Sequence, residues 1–105
     1  MSSFEVHERD GVFYLSGEFD MAEVANFVNG TEPALDGRGA VVLDLGRLTF
    51  IDSSGIRAII LLAKRCGRRG VILRSLSGEV AKVIEIVRLG DLPDIRIEME
   101  RERPN

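Results

Sequence analysis

Asp20 and the run Asp52-Ser53-Ser54 bring carboxylates and hydroxyls together in a pattern that could do chemistry. Three chemistries are open to them. A serine nucleophile needs a positioned base, usually histidine. The only histidine, His7, lies near the N-terminus and reads as an edge-strand residue with no second ligand beside it. No Gly-x-x-x-x-Gly-Lys-Ser/Thr loop is present to cradle phosphates, and a Mg²⁺ site would rest on the two aspartates alone. The second chemistry is simple capping, since Asp-Ser-Ser at a helix start satisfies free backbone N–H groups. The third is modification by a kinase that brings its own base and metal. A phosphoserine adds about two negative charges and three acceptor oxygens. Beside Asp52 and Asp20 that charge would repel an acidic partner and leave the fold alone.

The elements around these residues follow from apolar periodicity. Val41, Val42, Leu43 and Leu45 form a strand-length apolar run over residues 40–45, of the kind found in strands covered on both faces. Asp44 interrupts it and is given a structural role, at the edge of the core or paired with Arg47. Residues 46–51 read as a short connection into the Asp-Ser-Ser-Gly corner. After Gly55 the period becomes helical. Ile56, Ile59, Leu62, Ala63 and Cys66 make the buried stripe, with Ile60 at its border; Arg57, Lys64, Arg65 and Arg68 lie opposite. Leu61 falls within that basic face and is a candidate partner contact. Ser53 and Ser54 thus sit where a strand hands over to a helix N-terminus, a place that tolerates an anion.

The remaining chain supplies a frame. Phe4 to Arg9 and Val12 to Gly17 alternate around Asp10-Gly11, a hairpin signal. Phe4, Val6, Val12 and Tyr14 are expected on one side of it. Asp20 caps a short helix whose stripe is Met21, Val24, Ala25 and Val28, stopped at Asn29-Gly30 and followed by a further turn at Pro33. Val71 to Leu73 is a strand. Ser77 caps a helix with Val80, Val83, Ile84 and Val87 as its stripe, and residues 94–98 are a last strand. The order β-β-α-β-α-β-α-β predicts an α/β fold: a mixed, mostly parallel sheet of about five strands with an initial hairpin, packed by three to four helices.

Composition narrows the function. With 105 residues the chain makes one domain, and a net charge of −3 argues against general nucleic-acid binding. One cysteine permits no internal disulfide, and Cys66 reads as a small buried hydrophobe. No apolar run is long enough to span a bilayer and none resembles a signal peptide, so a soluble, cytoplasmic protein without membrane insertion is expected.

Val41-Val42-Leu43-Asp44-Leu45 followed by Leu48-Thr49-Phe50-Ile51-Asp52-Ser53-Ser54-Gly55-Ile56 closely resembles the signature of STAS domains, the anti-sigma factor antagonist family. Gly17-Glu18-Phe19-Asp20, Leu76-Ser77-Gly78-Glu79-Val80 and Leu89-Gly90-Asp91-Leu92 are similar to its other markers. The match runs in order over residues 1–98 and leaves 99–105 as a charged C-terminal tail. The resemblance implies a non-enzymatic bacterial protein, without cofactor, that binds an anti-sigma factor with serine kinase activity and thereby frees a sigma factor for transcription. It implies phosphorylation at Ser53, with Ser54 the second choice, and restoration by a PP2C-type phosphatase. Asp20 and Asp52 become the acidic surroundings of the phosphosite; Ser54, Gly55, Arg57 and Leu61 become candidate partner contacts. The alternative within the family is an unphosphorylated accessory subunit of a transport or signalling complex. Many relatives carry a further C-terminal helix, whereas this chain stops soon after its last strand.

Overall fold

The computed structural model describes residues 4–98. Five strands form one sheet in sequence order: β1 (Glu5–Arg9), β2 (Val12–Phe19), β3 (Val41–Ile51), β4 (Val71–Arg74) and β5 (Ile95–Ile97). β1 and β2 pair antiparallel and every later pair is parallel. The hairpin turns at Asp10 and Gly11, both with positive φ (52° and 84°), as a two-residue turn matched to strand twist requires. The helices are α1 (Val24–Thr31), α2 (Ser53–Cys66) and α3 (Gly78–Ile86). Short 3₁₀ turns flank them at Met21–Glu23, Glu32–Asp36, Gly67–Arg69 and Leu89–Asp91.

Every crossover steps one strand in the same direction. Right-handed connections therefore place all three helices on one side of the sheet. That side holds the core, with Phe13, Leu15, Phe19, Leu43, Leu45, Leu73, Ile59 and Ile84 all buried. The other side carries the row Arg9–Val12–Val42–Ile72–Arg96 and the row His7–Tyr14–Asp44–Arg74. Val12, Val42, Ile72 and Tyr14 there are only half-buried. The expectation that β3 is covered on both faces is thus corrected: its apolar run reflects one packed face and one row of valines and isoleucine. Val12 and Tyr14 likewise face away from Phe4 and Val6, because cross-strand pairing puts Val6 opposite Leu15 and His7 opposite Tyr14.

β3 runs on through residues 46–51, read from sequence as a connection. Its register against β2 slips twice, between Tyr14 and Ser16 and between Gly17 and Glu18. Each slip inserts a residue into β3. Core contacts therefore recur at Leu43, Leu45, Leu48 and Ile51, a spacing that hides a strand from any test of strict alternation.

Asp44 pairs with Arg74 and not with Arg47. Its Oδ2 accepts from Arg74 Nε (2.9 Å) and Ser75 Oγ (3.1 Å), and its Oδ1 from the Gly46 N–H (2.9 Å). Arg74 also donates to the Tyr14 hydroxyl at 3.1 Å. This network joins three strands on the face that no helix covers.

The first helix differs from expectation in its buried side. Met21 is 74% exposed and Val28 39%, while Phe27 and Thr31 are buried. Phe27 decides the orientation by joining Phe4 and Phe19 in an aromatic cluster with centroids 4.7 and 4.9 Å apart. Gly30 does not stop the helix. It lets α1 lie against Val6, where an added Cβ would come within 2.8 Å of the valine Cβ. In α3, Val80 and Ile84 are buried as expected, whereas Val87 is largely exposed just past the helix end. Ser77 occupies the N-cap position without a side-chain capping bond. The expected tail, 99–105, lies outside the described residues.

Candidate functional site

The corner is built where two parallel strands end together. Phe19 and Ile51 are register partners, and the Asp52 N–H donates to the Phe19 carbonyl at 3.2 Å. The next residues, Asp20 and Asp52, then do the same job side by side. Both have extended backbones (φ −115°, ψ −173° and φ −112°, ψ −172°) and both cap the turn that follows. Asp20 Oδ1 accepts the Ala22 N–H at 3.0 Å. Asp52 Oδ1 accepts from Ser54 (2.9 Å) and Gly55 (3.2 Å). Carboxyl ends of adjacent strands are where open α/β sheets place their functional groups.

Ser53 is the first residue of α2 and is exposed; Ser54 is half-buried. Because Asp52 already occupies the N–H groups of Ser54 and Gly55, a charge added on Ser53 would point outward and not into a ready-made cradle. Gly55 is buried. A Cβ there would stand 2.8 Å from Ile51 Cγ1, 2.9 Å from the Phe19 carbonyl oxygen and 3.0 Å from Phe19 Cγ. Glycine thus brings the helix start down onto the two strand ends, and offers packing in place of a contact surface.

The buried stripe of α2 is the one read from sequence, with Ala58 added to it. Arg57, Lys64, Arg65 and Arg68 are exposed, and Leu61, 50% exposed, sits among them. Arg65 approaches Glu32 at 3.9 Å. Burial pushes the Cys66 thiol above its ordinary pKa of 9.0, against the pull of Arg69 and Arg65, so it stays a neutral thiol. Sequence reasoning missed two further exposed apolar residues beside the corner. Met21 follows Asp20, and Phe50, 46% exposed, precedes the corner by one buried residue, Ile51. Helical spacing hid the first, and the slipped register of β3 hid the second.

His7 lies in β1, exposed, 3.1 Å from Glu5 and on a strand remote from α2. Among the described residues, no three His, Cys, Asp or Glu side chains come together as a metal-binding group. No helix among them is long and apolar enough to cross a membrane.

The sequence profile described as the STAS domain matches residues 2–102. The chain belongs to the STAS domain family. Among proteins similar to this STAS domain is BtrV of Bordetella bronchiseptica, which bears the name of an anti-sigma factor antagonist. The two are 44% identical over 52 residues, 48% of this chain and 45% of that protein, so the match spans under half of the relative's length. The fold is that of the anti-sigma factor antagonist SpoIIAA in its unphosphorylated form, with a TM-score of 0.70 at 24% identity over 93% of this chain and 90% of that one. An anti-sigma factor antagonist from Mycobacterium paratuberculosis superposes with a TM-score of 0.67 at 23% identity, covering 91% and 86% of the two chains.

Proposed function

We propose that this STAS domain is an anti-sigma factor antagonist, switched off by phosphorylation at Ser53. The observation that carries the reading is the exposure of Ser53 at the first position of a helix capped by Asp52. An anti-sigma factor that is also a serine kinase is the partner, and binding it frees a sigma factor. The docking surface is the corner with the exposed side of α2, in particular Ser54, Arg57 and Leu61, while Gly55 holds that surface in place.

Charge explains the switch. The exposed side of α2 is basic, so it suits an acidic partner surface. A phosphate on Ser53 adds about two negative charges at the end of that surface. Asp52 and Asp20 stand beside it and repel the new charge. Docking weakens because the partner meets repulsion, while α2, already capped, has no reason to unfold. A PP2C-type phosphatase restores the binding form.

Incubation with ATP and the anti-sigma kinases of the source genome tests this. Mass spectrometry should find one phosphate, on Ser53, absent from Ser53→Ala. No transfer from any of them would favour the accessory-subunit role, in which the hydroxyl stays unmodified.

A further inference from the structure

The open face of the sheet carries a concavity of about 680 Å³, on the side away from the helices. His7, Arg9, Tyr14, Ser16, Asp44 and Arg47 face it. Its size falls in the range of small-molecule sites, about 300–1,000 Å³.

Its charges are unevenly satisfied. The acids around it are engaged. Asp44 is held by Arg74, Ser75 and the Gly46 N–H. Glu8 accepts the Gly11 N–H at 2.8 Å, and Glu5 pairs with His7 at 3.1 Å. The two arginines are not engaged. Arg9 and Arg47 are exposed, and their side chains make no ion pair or hydrogen bond among the described residues. Tyr14 accepts from Arg74 through its oxygen, which leaves its own O–H proton to donate. The Ser16 hydroxyl has no partner among the described residues either, and it stands opposite Arg47 in the β2–β3 register.

Register also fixes the spacing. Arg9 is paired with Val12 and Arg47 with Ser16, so the two arginines belong to rows four residues apart along β2. Those rows lie about 13 Å apart along β2, and the arginines stand on the strands either side of it, so their backbones are about 16 Å apart, a span that long side chains reaching inward from both ends reduce. A single small oxyanion can satisfy one end only. Between the arginines lie the Tyr14 ring and hydroxyl, suited to a polar organic body.

We infer that this concavity binds a small organic anion with acidic groups at both ends, one held by Arg9 and the other by Arg47 and Ser16, its middle lying over Tyr14. The site lies on the face opposite the helices and does not depend on the modification of Ser53. Neither arginine supports the fold, so substituting them tests binding without testing folding.

An NMR titration of the ¹⁵N-labelled full chain with fructose 1,6-bisphosphate tests it, with inorganic phosphate as the single-group control. The bisphosphate should saturate with a Kd of about 1 mM or tighter, shifting amides in β1, β2 and around Gly46. Inorganic phosphate should bind at least tenfold more weakly. Arg9→Ala and Arg47→Ala should each weaken the bisphosphate about fivefold or more, and Ser53→Ala should change nothing. Absence of saturation, equal binding of inorganic phosphate, shifts centred on residues 52–55, or indifference to both arginine substitutions would each overturn the inference.

Discussion

The Asp52 N–H donates to the carbonyl of Phe19, and this one bond sets Asp20 beside Asp52 at the ends of two parallel strands. Two residues far apart in sequence thereby become the twin caps of one corner. The same strand ends receive Gly55, so the position of the Ser53 hydroxyl depends on close packing as well as on capping.

Gly55→Ala tests that dependence. The added methyl meets Ile51 and Phe19 at distances of 2.8 to 3.0 Å, and part of that contact is with backbone. Overpacking of this kind costs about 1–3 kcal/mol. Urea denaturation should show the midpoint fall by a corresponding amount with an unchanged slope. An unaltered midpoint would mean that the helix start can lift off the strands freely.

Asp44 should give the fold an acid-sensitive element. Burial opposes its ionisation and is the largest single influence. The bonds from Arg74, Gly46 and Ser75 together outweigh it, and hold the carboxyl below its ordinary value of 3.8. A lowered folded-state pKa contributes stability that is complete above the unfolded value and is lost as pH falls through the folded one. Stability measured from pH 6 down to about 2 should therefore fall less steeply in Asp44→Asn than in the parent. Parallel curves would show that the network carries no such linkage.

Arg69 holds the chain between α1 and β3 by donating to three carbonyls, those of Ala34 (2.6 Å), Leu35 (3.4 Å) and Gly39 (3.0 Å). Its removal leaves those acceptors to water, at a cost of about 1–3 kcal/mol. Arg69→Ala should lower the melting temperature and speed hydrogen exchange locally at residues 34–39. Protection equal to the parent's there would show that the loop holds without it.

Leu61→Ala separates docking from folding. At 50% exposure its truncation should shift stability by no more than about 0.5 kcal/mol. Under the proposed function it should weaken the complex with the anti-sigma kinase about tenfold, as loss of an interface anchor does. A large drop in melting temperature would instead assign Leu61 to the core.

The order of strands and helices, the stripe of α2 and the exposed corner were legible in the sequence because each follows from short-range periodicity and capping chemistry. Other features were set by distant partners. Phe27 turns α1 inward because Phe4 and Phe19 wait for it, so Met21 and Val28 are left outside. Asp44 finds Arg74 thirty residues on, across a strand pair that local spacing does not reveal. β3 looked short because its core residues follow the slips in its pairing with β2 instead of alternating. The uncovered face followed from every crossover turning the same way, a property of strand order and not of any one segment.

Affinity for one anti-sigma kinase, measured by calorimetry with the unmodified chain and with the chain carrying a phosphate on Ser53, tests the switch most directly. The account predicts that the phosphorylated form binds at least tenfold more weakly while its circular dichroism spectrum and melting temperature match those of the unmodified form. Equal affinity of the two forms would contradict it, as would weaker binding that arises only because the phosphorylated chain has unfolded.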